Sequence, residues 1–314
     1  MRKTYALCAL LLGVLFLGAS PAAAITGNYQ KDFVHPYVGL VVFYDSSGQF
    51  SHRCSGSLLT PRLFLTAGHC TEGVNSARVY FEQDAGVHLD PVTGVDPITG
   101  YPETGGVTSH QVFNYGFHDF VGFPDTHDTG VVVLDQPIGQ TKYASTVTRF
   151  AKLATAGSLD RLATKRGQQD VTFTVSGYGL SLVNPTKLLS FRERLTATEK
   201  LIGLNSALTD GFNIKTSASP GNDRGGTCSG DSGGPLLYST TDIVTAVNSF
   251  GINANCRGTD YMYRTDRDAV IGFILSHVPA GETVQFRVHE GCQLIQGRFF
   301  SLTPGLQQKC HVMS

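Results

Sequence analysis

Between Val38 and Val247 the chain alternates short apolar runs with clusters of glycine, proline and polar residues. The runs Val38 to Tyr44, Ser57 to Leu65, Val131 to Leu134, Val171 to Val175 and Ile243 to Val247 have the length of strands, not of core helices, and predict an all-β protein. Strands of this length and spacing suit a sandwich as well as a barrel. One segment breaks the pattern. From Asp266 to His277, the residues Ala269, Val270, Phe273 and Ile274 recur at helical spacing and predict a single helix. At the N-terminus, Arg2 and Lys3 lead an apolar run through Leu17 that ends at Ala22-Ala23-Ala24. That order reads as a secretory signal peptide cleaved after Ala24, with a signal anchor as the alternative. The run is too short to span a bilayer. The expectation is an exported, secreted chain with no membrane association once the signal is removed.

Composition narrows the partners. A chain of 314 residues with 41% hydrophobic content has room for one large domain or two compact ones. The 24 basic and 25 acidic residues nearly cancel, which argues against nucleic acid or an anionic membrane held by bulk charge. Export also places the cysteines in an oxidising compartment. Loss of Cys8 with the signal leaves Cys54, Cys70, Cys228, Cys256, Cys292 and Cys310, an even set that fits three disulfides. No cluster of His, Cys and carboxylate residues has metal-ligand spacing, so neither a metal nor an organic cofactor is expected.

The chemistry lies in two short runs. In Thr227-Cys228-Ser229-Gly230-Asp231-Ser232-Gly233-Gly234-Pro235, glycines on both sides of Ser232 let the backbone present its hydroxyl in an unusual turn. A serine hydroxyl is a weak nucleophile and needs a base, which Leu65-Thr66-Ala67-Gly68-His69-Cys70 supplies. His69 alone among ten histidines has this context. Together, in this order, the runs resemble the trypsin-like (chymotrypsin-fold) serine proteases, and the resemblance covers about residues 25 to 277. It implies two six-stranded antiparallel β-barrels with the active site between them and a crossover near residues 136 to 148. The organisation is then a signal peptide at 1–24, a first barrel at 25–140, a second barrel with a terminal helix at 141–277, and an extension at 278–314 of unread role. The resemblance also implies Cys54 with Cys70 and Cys228 with Cys256, which leaves Cys292 with Cys310.

A catalytic histidine must be held by a buried acceptor. Asp128 opens Asp128-Thr129-Gly130-Val131-Val132-Val133-Leu134 and resembles the family's aspartate at the head of an apolar strand; Asp119, Asp125 and Asp135 are the competitors. The implied mechanism is acyl transfer by Ser232, His69 and Asp128, with the oxyanion held by the N–H groups of Gly230 and Ser232. Asp231 resembles the aspartate that pairs with a freed N-terminal amine in this family. Cleavage after Ala24 would expose Ile25-Thr26-Gly27, so export itself would generate the active form; the alternative is that Ile25 begins a short leader trimmed later. Ser249-Phe250-Gly251 resembles the Ser-Trp-Gly strand that pairs with bound peptide, and Gly177-Tyr178-Gly179 a substituted Gly-Trp-Gly. The family's pocket-floor position falls on Gly226, which argues against a preference for Arg or Lys. The register of Tyr263-Arg264-Thr265 places Tyr261 where its ring narrows the pocket, with Asp260 entering under a shifted register or remaining a surface acid. Residues 82 to 107 form a long loop beside the cleft. The expected function is a monomeric secreted serine endopeptidase acting on proteins or peptides. The alternatives are a catalytically silent binding protein of this fold and an esterase using the same triad.

Overall fold

The computed structural model describes residues 25–85, 105–162, 171–182, 187–188, 192–219, 221, 223–252, 255–287, 292–295 and 298–301. The signal sequence, most of the 82–107 loop, Cys310 and its pairing with Cys292 lie outside the described residues.

Two antiparallel barrels account for most of the chain. The first contains β1 (Val38–Tyr44), β2 (Phe50–Leu58), β3 (Leu63–Thr66), β4 (Ser76–Tyr80), β5 (Val107–Ser109), β6 (Gln111–Asn114) and β7 (Gly130–Val133). They join in the order β5-β4-β1-β2-β3-β7-β6, a nearly closed seven-strand barrel. The second contains β8 (Thr172–Gly177), β9 (Leu195–Gly203), β10 (Asn213–Ser217), β11 (Pro235–Tyr238), β12 (Ile243–Gly251) and β13 (Thr259–Arg264). Its order is β11-β8-β9-β10-β13-β12, and β12 pairs back onto β11 to close a six-strand barrel. The first barrel exceeds the expected six strands because the pairing breaks at His110, dividing one bent run into β5 and β6.

Apolar residues of the predicted runs fill both cores. Leu40, Leu58, Phe64, Val79 and Val131 are sealed in the first barrel, and Phe173, Leu195, Ile214, Leu236 and Met262 in the second. The expected C-terminal helix is present as α2 (Asp268–Ser276), between Arg267 at its N-cap and His277 at its C-cap, with Val270 and Ile274 buried. Beyond it the chain keeps its grip on both barrels. Glu282 accepts hydrogen bonds from the Thr60 hydroxyl and the Arg62 N–H. Phe286–Arg287 then pairs in parallel with Lys152–Ala154, which itself pairs with β12. The start of the extension is therefore a strap, and nothing in the apolar pattern announces it.

Gly56 marks the tightest strand crossing of the first barrel. A Cβ at this position would sit 2.4 Å from the Leu65 carbonyl oxygen and 2.4 Å from the Phe64 ring. Gly56→Ala is expected to force β2 away from β3 and to cost about 1–3 kcal/mol, measured as a fall in denaturant midpoint with little change in slope.

Candidate active site

Strand pairing brings His69 and Asp128 together. Thr66, the last residue of β3, pairs with Gly130, the first of β7, so the turns beyond these two ends lie side by side. The chain enters α1 (Gly68–Thr71) through a glycine because a Cβ at Gly68 would lie 2.7 Å from Phe117 and 3.0 Å from the His127 carbonyl. Asp128 is fully buried. It accepts the His69 backbone N–H at 2.7 Å and lies 3.1 and 3.0 Å from His69 Nδ1 through its two oxygens. The Ser249 hydroxyl, arriving from the second barrel, donates to the same carboxylate. Burial alone would pull the imidazole pKa down, but the adjacent Asp128 charge and hydrogen bond outweigh it, so His69 shifts upward. Burial likewise pushes Asp128 up, and the His69 and Ser249 contacts bring it below the ordinary carboxylate value. The competing aspartates are placed elsewhere: Asp125 accepts the Tyr263 hydroxyl, Asp135 holds Thr108 and His110, and Asp119 is exposed.

The turn carrying Ser232 is tied down at every step. Cys228 is joined to Cys256, as Cys54 is to Cys70. Gly230 and Gly233 take φ values of 96° and 76°, in the left-handed region that a side chain disfavours. A Cβ on Gly233 would also fall 2.1 Å from the Thr66 hydroxyl. Ser55 of β2 supplies the counterpart from the first barrel. Its N–H donates to the Ser232 carbonyl at 2.8 Å and its hydroxyl to the Gly230 carbonyl at 2.9 Å, while that hydroxyl accepts the Tyr178 N–H at 2.9 Å. Its own carbonyl accepts the Thr66 hydroxyl. Sequence reasoning missed Ser55, whose only signal is its place next to Cys54. Among the described residues no acceptor meets the N–H of Gly230 or of Ser232. The Ser232 hydroxyl and His69 Nε2 make no hydrogen bond in this structure; contacts of this kind commonly tighten only with substrate in place.

Ile25 and Asp231 meet in the interior. Both are buried. Asp231 accepts backbone N–H groups from Gly179 at 2.8 Å, from Cys228 at 2.9 Å and from Ile25. Gly177 and Gly179 are glycines because a Cβ on either would strike the Asp231 side chain, at 2.3 and 2.6 Å. Desolvation is the largest influence on this carboxyl and pushes it up to about 7.

Beside the serine lies a cavity of about 460 Å³, bounded by Thr227, Ser229, Ser249, Phe250, Gly251 and Asp260 among others. Two residues expected here, Gly226 and Tyr261, are not among those that bound the cavity. Gly226 does not line it: Gly226 pairs with Thr26, and a Cβ there would sit 2.2 Å from the Ala218 Cβ and 3.0 Å from the Asp260 carboxylate. The Tyr261 ring stacks on Phe250, a bounding residue, with centroids 4.7 Å apart and planes 4° from parallel. The residue that reaches the cavity is Asp260, which is buried and is not a surface acid. β12 carries a bulge between Asn248 and Phe250 in its pairing with β13, which places Gly251 opposite Asp260. Near the histidine, Phe117 and Phe120 stand 5.8 and 6.1 Å from its ring, and Phe120 and Phe123 contact Phe250. The sulfurs closest to His69 belong to the Cys54–Cys70 disulfide, which removes them as metal ligands.

Known proteins share this architecture. The profile of the trypsin family matches residues 27–267. Chymotrypsin of Phaedon cochleariae is 27% identical over 240 residues, covering 75% of this chain and 76% of the relative. Brachyurin of Leptuca pugilator is 29% identical over 65% of this chain and 77% of its own length. Among solved structures, HL collagenase gives a TM-score of 0.56 at 19% identity, covering 80% of this chain and 96% of that one. An inactivated protease paralogue of the scabies mite gives 0.54 at 16%, covering 81% and 97%. At those identities the structures speak for the fold alone.

Two outcomes are expected from this geometry. While a peptide bond precedes Ile25, Asp231 has no cation and keeps its proton to about pH 7. The folded chain then binds more protons than the unfolded one between about pH 4 and 7, so stability falls as pH rises through that window. Thermal midpoints of the unprocessed chain should show this slope, and Asp231→Asn should flatten it by a few kcal/mol across the window. Ser55→Ala removes one hydrogen bond to the Gly230 carbonyl and should slow covalent modification of Ser232 roughly 3- to 10-fold, measured by stopped-time labelling.

Proposed function

The chain belongs to the trypsin family, and on that premise we propose that it is a secreted serine endopeptidase working through Ser232, His69 and Asp128. The observation that carries the reading is the buried Asp128 carboxylate gripping both the ring and the backbone N–H of His69, beside a serine turn locked by Ser55. In this reading His69 takes the Ser232 proton as the hydroxyl attacks a peptide carbonyl and returns it to the leaving amine. Asp128 holds the imidazole in one tautomer and stabilises its charged form. The N–H groups of Gly230 and Ser232 face the developing oxyanion, where each such donor typically contributes ~3 kcal/mol.

A peptide is favoured over an ester as substrate by the edge of β12. Pairing with the serine turn and β11 stops at Asn248, so Ser249, Phe250 and Gly251 keep one edge unpaired among the described residues. An extended peptide would add there as a strand. The two disulfides fit an oxidising, extracellular setting. For activation, a freed Ile25 amine would sit where its N–H already meets Asp231, replacing a neutral partner with a cation.

The test is labelling with a fluorophosphonate together with cleavage of a peptide library. The form beginning at Ile25 should label and cut, and Ser232→Ala should abolish both. A form retaining several residues before Ile25 should label at least tenfold more slowly, because its Asp231 lacks the ammonium partner. Equal labelling of the two forms would exclude the proposed activation, and no labelling of either would exclude the enzyme.

A further inference from the structure

We propose that Tyr263 and Asp125 are positioning residues: the hydrogen bond between them, made from one barrel to the other, holds the turn that aims Asp128 at His69. The proposal rests on the endopeptidase reading and deepens it.

Asp128 belongs to the first barrel by sequence, two residues before β7. Its turn is tight and strained. His127 takes a φ of 53°, in the left-handed region, and its carbonyl accepts the Thr129 N–H at 2.8 Å, closing the chain around Asp128. Such a conformation persists only where its surroundings hold it. Downstream the first barrel does so, because the Tyr115 N–H donates to the Thr129 carbonyl at 2.9 Å and β7 begins at Gly130. Upstream it offers less: Val121 is 69% exposed and Phe123 41%.

The second barrel takes hold there. Asn213 on β10 and Tyr263 on β13 stand directly opposite each other in the sheet. Asn213 Nδ2 donates to the Pro124 carbonyl at 2.8 Å, and the Tyr263 hydroxyl donates to Asp125 Oδ1 at 2.6 Å. One cross-strand pair thus grips two consecutive residues of the loop. Ser249 on β12 reaches the Asp128 carboxylate itself. Asp125 also faces His127, whose Nε2 lies 3.9 Å from Oδ2, and Tyr115 and Arg267 stand nearby. Tyr115 packs its ring on His127 and on Phe273 of α2, with centroids 5.2 and 5.1 Å apart. The orientation of the aspartate is therefore set by the barrel that carries the serine.

This grip has a chemical readout at His69. Burial lowers the imidazole pKa, and the Asp128 contact raises it above its ordinary value. A turn released from Tyr263 loosens that contact, so the pKa falls. Glu72 and His52 also face His69 and stay in place when Tyr263 or Asp125 is changed.

The experiment measures kcat, KM and the pH profile of kcat/KM for the enzyme beginning at Ile25, on a peptide that it cuts. Tyr263→Phe keeps the ring and should lower kcat about tenfold with KM within about twofold. The acid limb of kcat/KM should move down by roughly half a unit. Asp125→Ala should reproduce both effects, and Asp125→Asn, whose amide oxygen still accepts the hydroxyl, should restore both. Tyr263→Phe combined with Asp125→Ala should lose no more than either alone. A merely structural role would lower the thermal midpoint and leave the acid limb where it stands. Wild-type kcat and acid limb in Tyr263→Phe and Asp125→Ala overturn the proposal, as do losses that multiply in the double variant or an Asp125→Asn enzyme as slow as Asp125→Ala. If Tyr263→Phe does not fold, the two Asp125 variants, at a partly exposed side chain, decide the matter by the same limb. Fluorophosphonate labelling separates the two levels: a wild-type chain that neither labels nor cuts overturns the endopeptidase reading and this proposal with it, whereas one that labels and cuts leaves the variants to decide.

Discussion

On the proposed reading a base on one barrel serves a nucleophile on the other, which requires the two bodies to be closely docked, and Ser55 is where that docking is fixed. It projects from β2 of the first barrel, one residue beyond a cysteine bonded to the neighbour of His69, and holds the carbonyls on either side of Asp231 in the second. Gly233 completes the contact by letting the serine turn lie against Thr66 and Ala67 with no side chain between. Farther from the cleft, Arg194 fastens the same seam. Its guanidinium is buried and donates to the carbonyls of Asp32, Val38 and Phe81 and to the Tyr178 hydroxyl. A buried cation surrounded by acceptors is satisfied only while both barrels stay in place, so the seam is cooperative.

The second barrel concentrates acids in its interior, and each needs a different remedy for the same physical problem. Asp231, Asp260 and Glu199 are all sealed from water, burial raises the pKa of each, and Asp260 pushes Asp231 and Glu199 higher still. Asp260 accepts the Thr227 N–H and lies beside its hydroxyl, and on the proposed reading Asp231 gains a cation when the chain is cut before Ile25. Desolvated charge is thus converted into a dependence on processing. It would not follow if the same side chain stood in water, where screening would leave it near its ordinary value.

Much of this was legible in the sequence because it is local. The turn around Ser232, the run ending at His69 and the aspartate heading an apolar strand each declare themselves within a few residues, and the fold places His69 against Asp128 at 3.0 Å. The α2 helix and the strand runs follow from periodicity in the same way. What was hidden depends on long-range geometry. Asp260 lines the cavity, and β12 carries a bulge against β13 between Asn248 and Phe250 that places Gly251 opposite Asp260. No pattern in the sequence marks that bulge. Ser55 and Arg194 are polar residues whose partners lie far along the chain, and the contact of Glu282 with Thr60 spans 222 positions.

The N-terminal segment links these themes, because it touches the pocket as well as Asp231. Thr26 pairs with Gly226, and its hydroxyl donates to the Cys256 carbonyl at 2.9 Å. Gly226 borders Asp260, and Cys256 is bonded to Cys228 at the base of the serine turn. Ordering of Ile25 to Gly27 therefore acts on two walls at once: through Asp231 on the N–H groups that would hold an oxyanion, and through Gly226 and Cys256 on the cavity that would hold a side chain. If a free amine at Ile25 tightens this segment, substrate binding and transition-state stabilisation improve together. Processing would then appear in both KM and kcat, because the same three residues support both sites.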